Sequence, residues 1–211
     1  HEPSLLLTRV GEDLGGDEVE RELLDAASTL GSGTRVIAAW PLPGEAIDHK
    51  RPTRPRIEGH AGRLAAAEAR LCVYLHGVGD PGNVGSIVRT TGALVDAYVA
   101  LGPDCADPFG PKAVRASMGA IFAVPVAHRD LRDTPSPRLS LVAHGGEAEA
   151  MAGVRTLCLG SEREGLPQAV IDASDATWTI PLRPEAVESL GVAAAAAIAL
   201  GRIGSRDGEI G

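Results

Sequence analysis

Two short apolar runs, at 156–159 and 177–181, each stop abruptly in a polar loop, and a helix made almost wholly of alanine follows them. The first loop reads Gly160-Ser161-Glu162-Arg163-Glu164-Gly165-Leu166-Pro167, and the second is rich in Pro, Arg and Glu. Short apolar runs bounded by Gly and Pro predict buried strands. In an open α/β sheet, ligands bind beyond the carboxyl ends of such strands. Gly160 and Gly165 would let the backbone approach a ligand closely. The alanines at 193–197 favour helix and carry little volume. That helix is expected to pack closely on another backbone, in its own sheet or in a partner chain.

The alternation extends upstream. Strands are predicted at 71–75, 97–101, 121–124, 139–143, 156–159 and 177–180, and helices at 84–94, 111–117, 167–173 and 189–200. This pattern implies an α/β fold with a doubly wound, mostly parallel sheet. Before it come a predicted strand at 5–8, a helix at 17–30 and a strand at 35–40. Asp17 serves as the expected N-cap of that helix and Gly31 as its stop. This first piece is too small to hold a core alone. A Pro-, Arg- and Gly-rich linker follows at 49–62, then a short helix at 61–70. The chain therefore divides into a partial N-terminal region at 1–48, a basic linker with its helix at 49–70, and a main domain at 71–211.

Charge and composition narrow the function classes. Aromatic residues make up only 3% of the chain, so Ala, Val, Leu and Ile must build the core. A net charge of −8 argues against indiscriminate nucleic-acid binding, which depends on neutralising phosphates. The segment 49–70 runs the other way, with Lys50, Arg51, Arg54, Arg56, Arg63 and Arg70 against Glu58 and Glu68. It reads as a solvated linker or as an arm that touches RNA. No apolar run approaches the ~20 residues of a membrane span, and no stretch has the layout of a signal peptide. Cys72, Cys105 and Cys158 lie far apart and read as reduced thiols of a cytoplasmic protein. No Cys or His pair has zinc-ligand spacing, so no metal is expected.

Three separated motifs carry a resemblance. Asn83-Val84-Gly85-Ser86-Ile87-Val88-Arg89-Thr90 opens a predicted helix, Gly160 to Pro167 forms the second motif, and Glu188-Ser189-Leu190-Gly191 leads into the alanine helix. In this order they resemble the motifs of the SpoU (TrmH-like) RNA 2′-O-ribose methyltransferases of the SPOUT class. The resemblance covers roughly 71–200. It implies a C-terminal deep trefoil knot, S-adenosyl-L-methionine as cofactor, an RNA substrate (rRNA or tRNA) and a homodimer formed through the knotted domain. It also implies that 1–48 resembles part of a substrate-binding domain like ribosomal protein L30e.

Site residues follow from the same resemblance. Arg89, Asn83, Glu162 and Ser189 match catalytic positions. Leu159, Gly160, Ile180, Leu182, Ser189 and Leu190 match the cofactor-binding segments. The arginine corresponding to Arg89 has been proposed in the family as the base for the ribose 2′-hydroxyl. An arginine is effectively always protonated, so a phosphate clamp that also stabilises developing alkoxide charge is the better physical role. Lys112 and Arg115 share one face of a short helix opened by Pro111 and join Arg89, Lys50, Arg51 and Arg54 as candidate RNA contacts. Asn83 also reads as a helix cap, and Ser189 as the cap of the alanine helix. The family usually has Asn where this chain has Gly191. Placed inside a helix, glycine costs roughly 1 kcal/mol relative to alanine.

Two rival readings stand beside this one. Gly77-Val78-Gly79-Asp80-Pro81-Gly82, with Asp104 downstream, fits a dinucleotide fingerprint. It leaves the other motifs unexplained. Gly191 and the short N-terminal region suggest the second rival, a catalytically weak or inactive SPOUT-like protein that binds RNA.

Overall fold

A computed structural model describes residues 3–28, 33–40, 71–147, 153–183 and 189–204. The chain forms two compact units, 1–59 and 60–211.

The first unit holds strands β1 (Leu5–Arg9), β2 (Asp17–Val19) and β3 (Val36–Ala39), with helix α1 (Arg21–Ala27) between β2 and β3. The sheet order is β2-β1-β3, with β2 parallel and β3 antiparallel to β1. The helix expected from 17 is thus a strand in its first three residues, because Asp17, Glu18 and Val19 pair with Leu7, Thr8 and Arg9. Glu20, not Asp17, stands at the N-cap. The stop expected at Gly31 lies outside the described residues. Leu24 is the buried contact of α1.

The second unit is a six-stranded sheet with every described pairing parallel. Its strands are β4 (Leu71–Leu75), β5 (Ala97–Leu101), β6 (Val126–His128), β7 (Arg138–Leu141), β8 (Thr156–Leu159) and β9 (Ala176–Trp178), in the order β6-β5-β4-β8-β7-β9. β5 and β8 are buried at every residue. That is why they read as unbroken apolar runs: a parallel sheet is covered on both faces. Alternate side chains divide accordingly. Val73, Leu75, Val99, Leu101, Leu157 and Leu159 enter one core, shared with helices α2 (Pro81–Leu94) and α5 (Val192–Gly204). Cys72, Tyr74, Tyr98 and Cys158 enter the other, which takes Val170 from α4 (Gln168–Asp172). A further short helix, α3 (Pro111–Ser117), lies against α2.

From β4 the chain winds outward through β5 and β6. It then crosses to β7, inserts β8 beside β4 and places β9 outside β7. The winding reverses between β4 and β8, where such sheets open a crevice at their carboxyl ends. Beyond β7 the chain folds back over β9: Val142 N–H donates to the Trp178 carbonyl at 2.9 Å, and Glu147 N–H to the Thr177 carbonyl at 2.9 Å. A Cβ on Gly146 would meet the Trp178 carbonyl carbon at 2.5 Å, so this crossing requires glycine.

Several boundaries differ from the sequence expectation. The apolar run 121–124 is no strand: Ala120–Phe122 form a 3-10 turn after left-handed Met118 and Gly119. The strand begins at Val126, beyond Pro125. Periodicity cannot separate a buried turn from a strand in so short a run. α2 starts at Pro81, two residues before Asn83, with Asp80 as its N-cap. α5 starts at Val192, so Ser189 does not cap it. The carbonyl of Gly191 accepts from Ala195 N–H at 3.0 Å, placing Gly191 at the cap rather than inside the helix. Glycine is tolerated there, and the interior penalty does not apply. The alanine helix packs on α2, burying Ala196, Ala199, Leu200 and Ile203. Its small side chains therefore serve close packing within its own chain.

Candidate active site

The carboxyl ends of β7, β8 and β9 enclose a cavity of about 410 Å³. Its wall is apolar at Leu141, Leu159, Ile180, Leu182, Leu190 and Val192 and polar at His144, Ser161, Glu162, Arg163, Glu164 and Ser189. All six residues expected at a cofactor, Leu159, Gly160, Ile180, Leu182, Ser189 and Leu190, line this one space.

The loop after β8 is wound tightly. Gly165 N–H donates to the Ser161 carbonyl at 3.0 Å and Glu164 N–H to Ser161 Oγ at 3.1 Å. Gly165 has φ +68, a conformation that favours glycine. At Gly160 the constraint is contact, since a Cβ there would collide with the backbone of Gly165 and Leu166. Gly160 thus folds the loop onto itself, and this close approach is to its own chain.

Glu162, on that loop, accepts a hydrogen bond from the Asn83 side-chain amide at the start of α2. The contact ties the first sequence motif to the second across 79 residues. Asn83 therefore reaches across to Glu162 with its side chain, while Asp80 caps the helix: Asn83 backbone N–H donates to Asp80 Oδ1 at 3.0 Å. The other carboxylate oxygen of Asp80 accepts from Lys112 Nζ at 2.6 Å. Lys112, beside it, and then the Asn83 backbone hold the Asp80 carboxyl below the usual carboxylate range.

Arg89 is exposed on α2 and does not line the cavity. Six residues beyond Asn83, it projects roughly a third of a turn away from it around the helix. Arg115 is exposed on α3, with Lys112 on the same helix held by Asp80. Lys50, Arg51 and Arg54 lie outside the described residues.

The dinucleotide reading fails at this helix. A pyrophosphate would sit against the N-terminus of α2, and the Asp80 carboxylate already occupies that end. Sequence reading overlooked Asp80 as a cap, although Asp followed by Pro at N1 is a helix-start signal. His144 and Arg163 were also missed, because nothing local marks a loop residue as facing a cavity.

Burial pushes the Cys72 thiol up to about 11 and the Cys158 thiol up to about 12. Cys105, partly buried, is also raised. All three are free thiols. Among the described residues, no group of three or more His, Cys, Asp or Glu could hold a metal, and no helix is long and apolar enough to cross a membrane.

Comparison with known proteins agrees with this architecture. The family described as SpoU rRNA Methylase matches residues 70–201. An uncharacterized tRNA/rRNA methyltransferase of Mycobacterium bovis is 36% identical over 148 residues, 63% of this chain and 51% of the relative. The 23S rRNA guanosine 2′-O-methyltransferase RlmP of Bacillus subtilis is 34% identical over 152 residues, 66% of this chain and 60% of the relative. The chain thus spans about half to three-fifths of these two relatives. The AdoMet complex of AviRb, a SpoU methyltransferase of Streptomyces viridochromogenes, superposes with a TM-score of 0.72 at 22% identity, covering 99% of this chain and 84% of that one. The fold is that of the SPOUT class.

Proposed function

Because the chain belongs to the SpoU rRNA methylase family, we propose that it transfers the methyl group of S-adenosyl-L-methionine to a ribose 2′-hydroxyl in structured RNA, ribosomal or transfer. The observation that carries this reading is the convergence of the three motifs. The second and third motifs wall one cavity, and Asn83 of the first is bonded to Glu162 on that wall.

The residues present suit the cofactor. The cavity falls within the size range of small-molecule sites and combines an apolar lining with a few polar groups. Glu162 and Glu164 stand on its wall, where carboxylates complement a ligand bearing a sulfonium and an ammonium. Leu159, Gly160, Ile180, Leu182, Ser189 and Leu190 would hold the ligand. When bound, S-adenosylmethionine supplies a methyl group already activated by positive sulfur, so the reaction calls for no metal. Asn83 fixes Glu162 at the wall. Arg89 clamps an RNA phosphate, orients the ribose and stabilises charge developing on the 2′-oxygen. Lys112, Arg115 and the basic segment with Lys50, Arg51 and Arg54 add phosphate contacts, and the N-terminal region at 1–48 helps select the RNA. The three free thiols suit a cytoplasmic setting.

The active form is a homodimer paired through the knotted domain. Ala194 and Ile198 leave an exposed strip on α5, opposite its buried face. Ile198→Arg probes that strip. Ala196 is wholly buried and Ala195 lines the cavity, so arginine at either position would test packing or cofactor binding instead. Light scattering reads the mass, and a monomer with full activity would refute the dimer.

The activity itself is tested by titrating the chain with S-adenosylmethionine and following transfer of labelled methyl to total RNA, then mapping 2′-O-methylation. Cofactor binding with 2′-O transfer supports the reading. Transfer to a base, or binding of RNA without transfer, refutes it.

A further inference from the structure

We infer that Asp80 is a positioning residue for the reaction, acting on the cavity wall through Asn83. This rests on the methyltransferase reading above. The Asp80 carboxylate has two partners from two helices: Asn83 N–H at 3.0 Å in its own helix and Lys112 Nζ at 2.6 Å on α3. Asn83 then carries the constraint to Glu162 with its side chain. A contiguous series of contacts thus runs from α3 through the cap of α2 to the cavity wall.

Two glycines keep it in register. At Gly85, a Cβ would collide with the Ala113 carbonyl oxygen and meet Ala116 Cβ at 2.8 Å, so this glycine lets α3 sit directly on α2. At Gly82, a Cβ would meet Asp80 Oδ1 at 2.7 Å and Lys112 Cε at 3.5 Å. The space beside the cap is therefore filled by the ion pair itself. Lys112 and Asp80 are both substantially exposed, and exposed pairs add little stability. The geometric effect lies in the cap bond: Asp80 Oδ1 on the Asn83 N–H sets the first turn of α2 and hence the origin of the Asn83 side chain, with Lys112 beside the second carboxylate oxygen. A group that holds another in place gives a defined pattern on mutation. Its loss lowers turnover more than substrate binding, and its effect disappears once the group it acts through is gone.

The test uses the full chain and five variants, with Glu162→Ala as the reference for a broken Asn83 bond. Asp80→Ala removes both contacts, whereas Asp80→Asn keeps a cap acceptor and loses the charge. Asn83→Ala and the double variant Asp80→Ala/Asn83→Ala complete the cycle. With RNA as methyl acceptor, Asp80→Ala is expected to lower kcat at least about tenfold with KM for RNA within about threefold. Asp80→Asn should recover most of kcat, and the double variant should match Asn83→Ala. A second readout needs no activity: the side-chain amide resonances of Asn83 report its bond to Glu162. They should move in Asp80→Ala toward their position in Glu162→Ala and stay in place in Asp80→Asn. Unmoved resonances in Asp80→Ala, or losses that add in the double variant, would overturn the inference. A wild-type chain that transfers no methyl would sink the methyltransferase reading instead, and the resonances would still decide the role of Asp80.

Discussion

Gly160→Ala is the most informative single substitution, because it adds one methyl group where the structure has no room. The new Cβ would collide with the Gly165 carbonyl group and the Leu166 nitrogen, all backbone atoms. No side-chain rotation relieves that clash, so the loop 161–165 must open. Forcing an extra carbon into a packed site costs about 1–3 kcal/mol. For a unit of this size, each kcal/mol lowers Tm by about 2–4 °C, so the expected drop is roughly 2–12 °C. Glu162, Arg163 and Glu164 ride on the displaced loop and wall the cavity, so affinity for S-adenosylmethionine should fall as well. Gly165→Ala is the control. Its Cβ meets nothing within 4 Å, and its cost is the left-handed backbone at φ +68, about 1–2 kcal/mol. Thermal unfolding and calorimetric titration of both variants make the comparison. Gly160→Ala with unchanged Tm and unchanged cofactor affinity would refute the steric account of the loop.

Other outcomes follow from the same geometry. Arg89→Ala and Arg89→Lys should both lose most methyl transfer while still binding cofactor, since lysine lacks the planar fork; near-native turnover in Arg89→Lys would mean that a point charge suffices. Gly191→Asn should fit, as nothing lies within 4 Å of its Cβ, and should raise stability by a few tenths of a kcal/mol in denaturant melts. The buried thiols make the fold sensitive to alkali. Cys72 and Cys158 ionise higher in the folded chain than at their ordinary value of 9.0, so their contribution is complete below pH 9 and lost as pH rises toward about 12. Urea midpoints should therefore fall from pH 9 upward, and at pH 8 a thiol reagent should label Cys105 well before the other two. An unchanged midpoint at pH 11 would count against this burial.

The sequence by itself determined the strand-helix alternation of the second unit, most clearly in β4, β5 and β8. There, full burial on both faces leaves an apolar run between turn residues. It also implied a ligand edge where strand ends run into Gly-containing loops, but the particular residues Leu159, Gly160, Ile180, Leu182, Ser189 and Leu190 followed from the motif resemblance, and His144 and Arg163 on the same wall carried no local mark. Short segments escaped it. The strand at 17–19 took its form from pairing with 7–9, and the run at 121–124 from the left-handed turn at Met118 and Gly119 just before it; hydrophobic period encodes neither. Helix starts shifted for a related reason. Asp80 takes the cap of α2 with Lys112 from another helix beside it, and Gly191 takes the cap of α5 instead of Ser189. Tertiary structure alone decided that Asn83 meets Glu162 and that Arg89 lies outside the cavity lining. Each of these depends on distances between segments far apart in the chain, and those distances are set by packing.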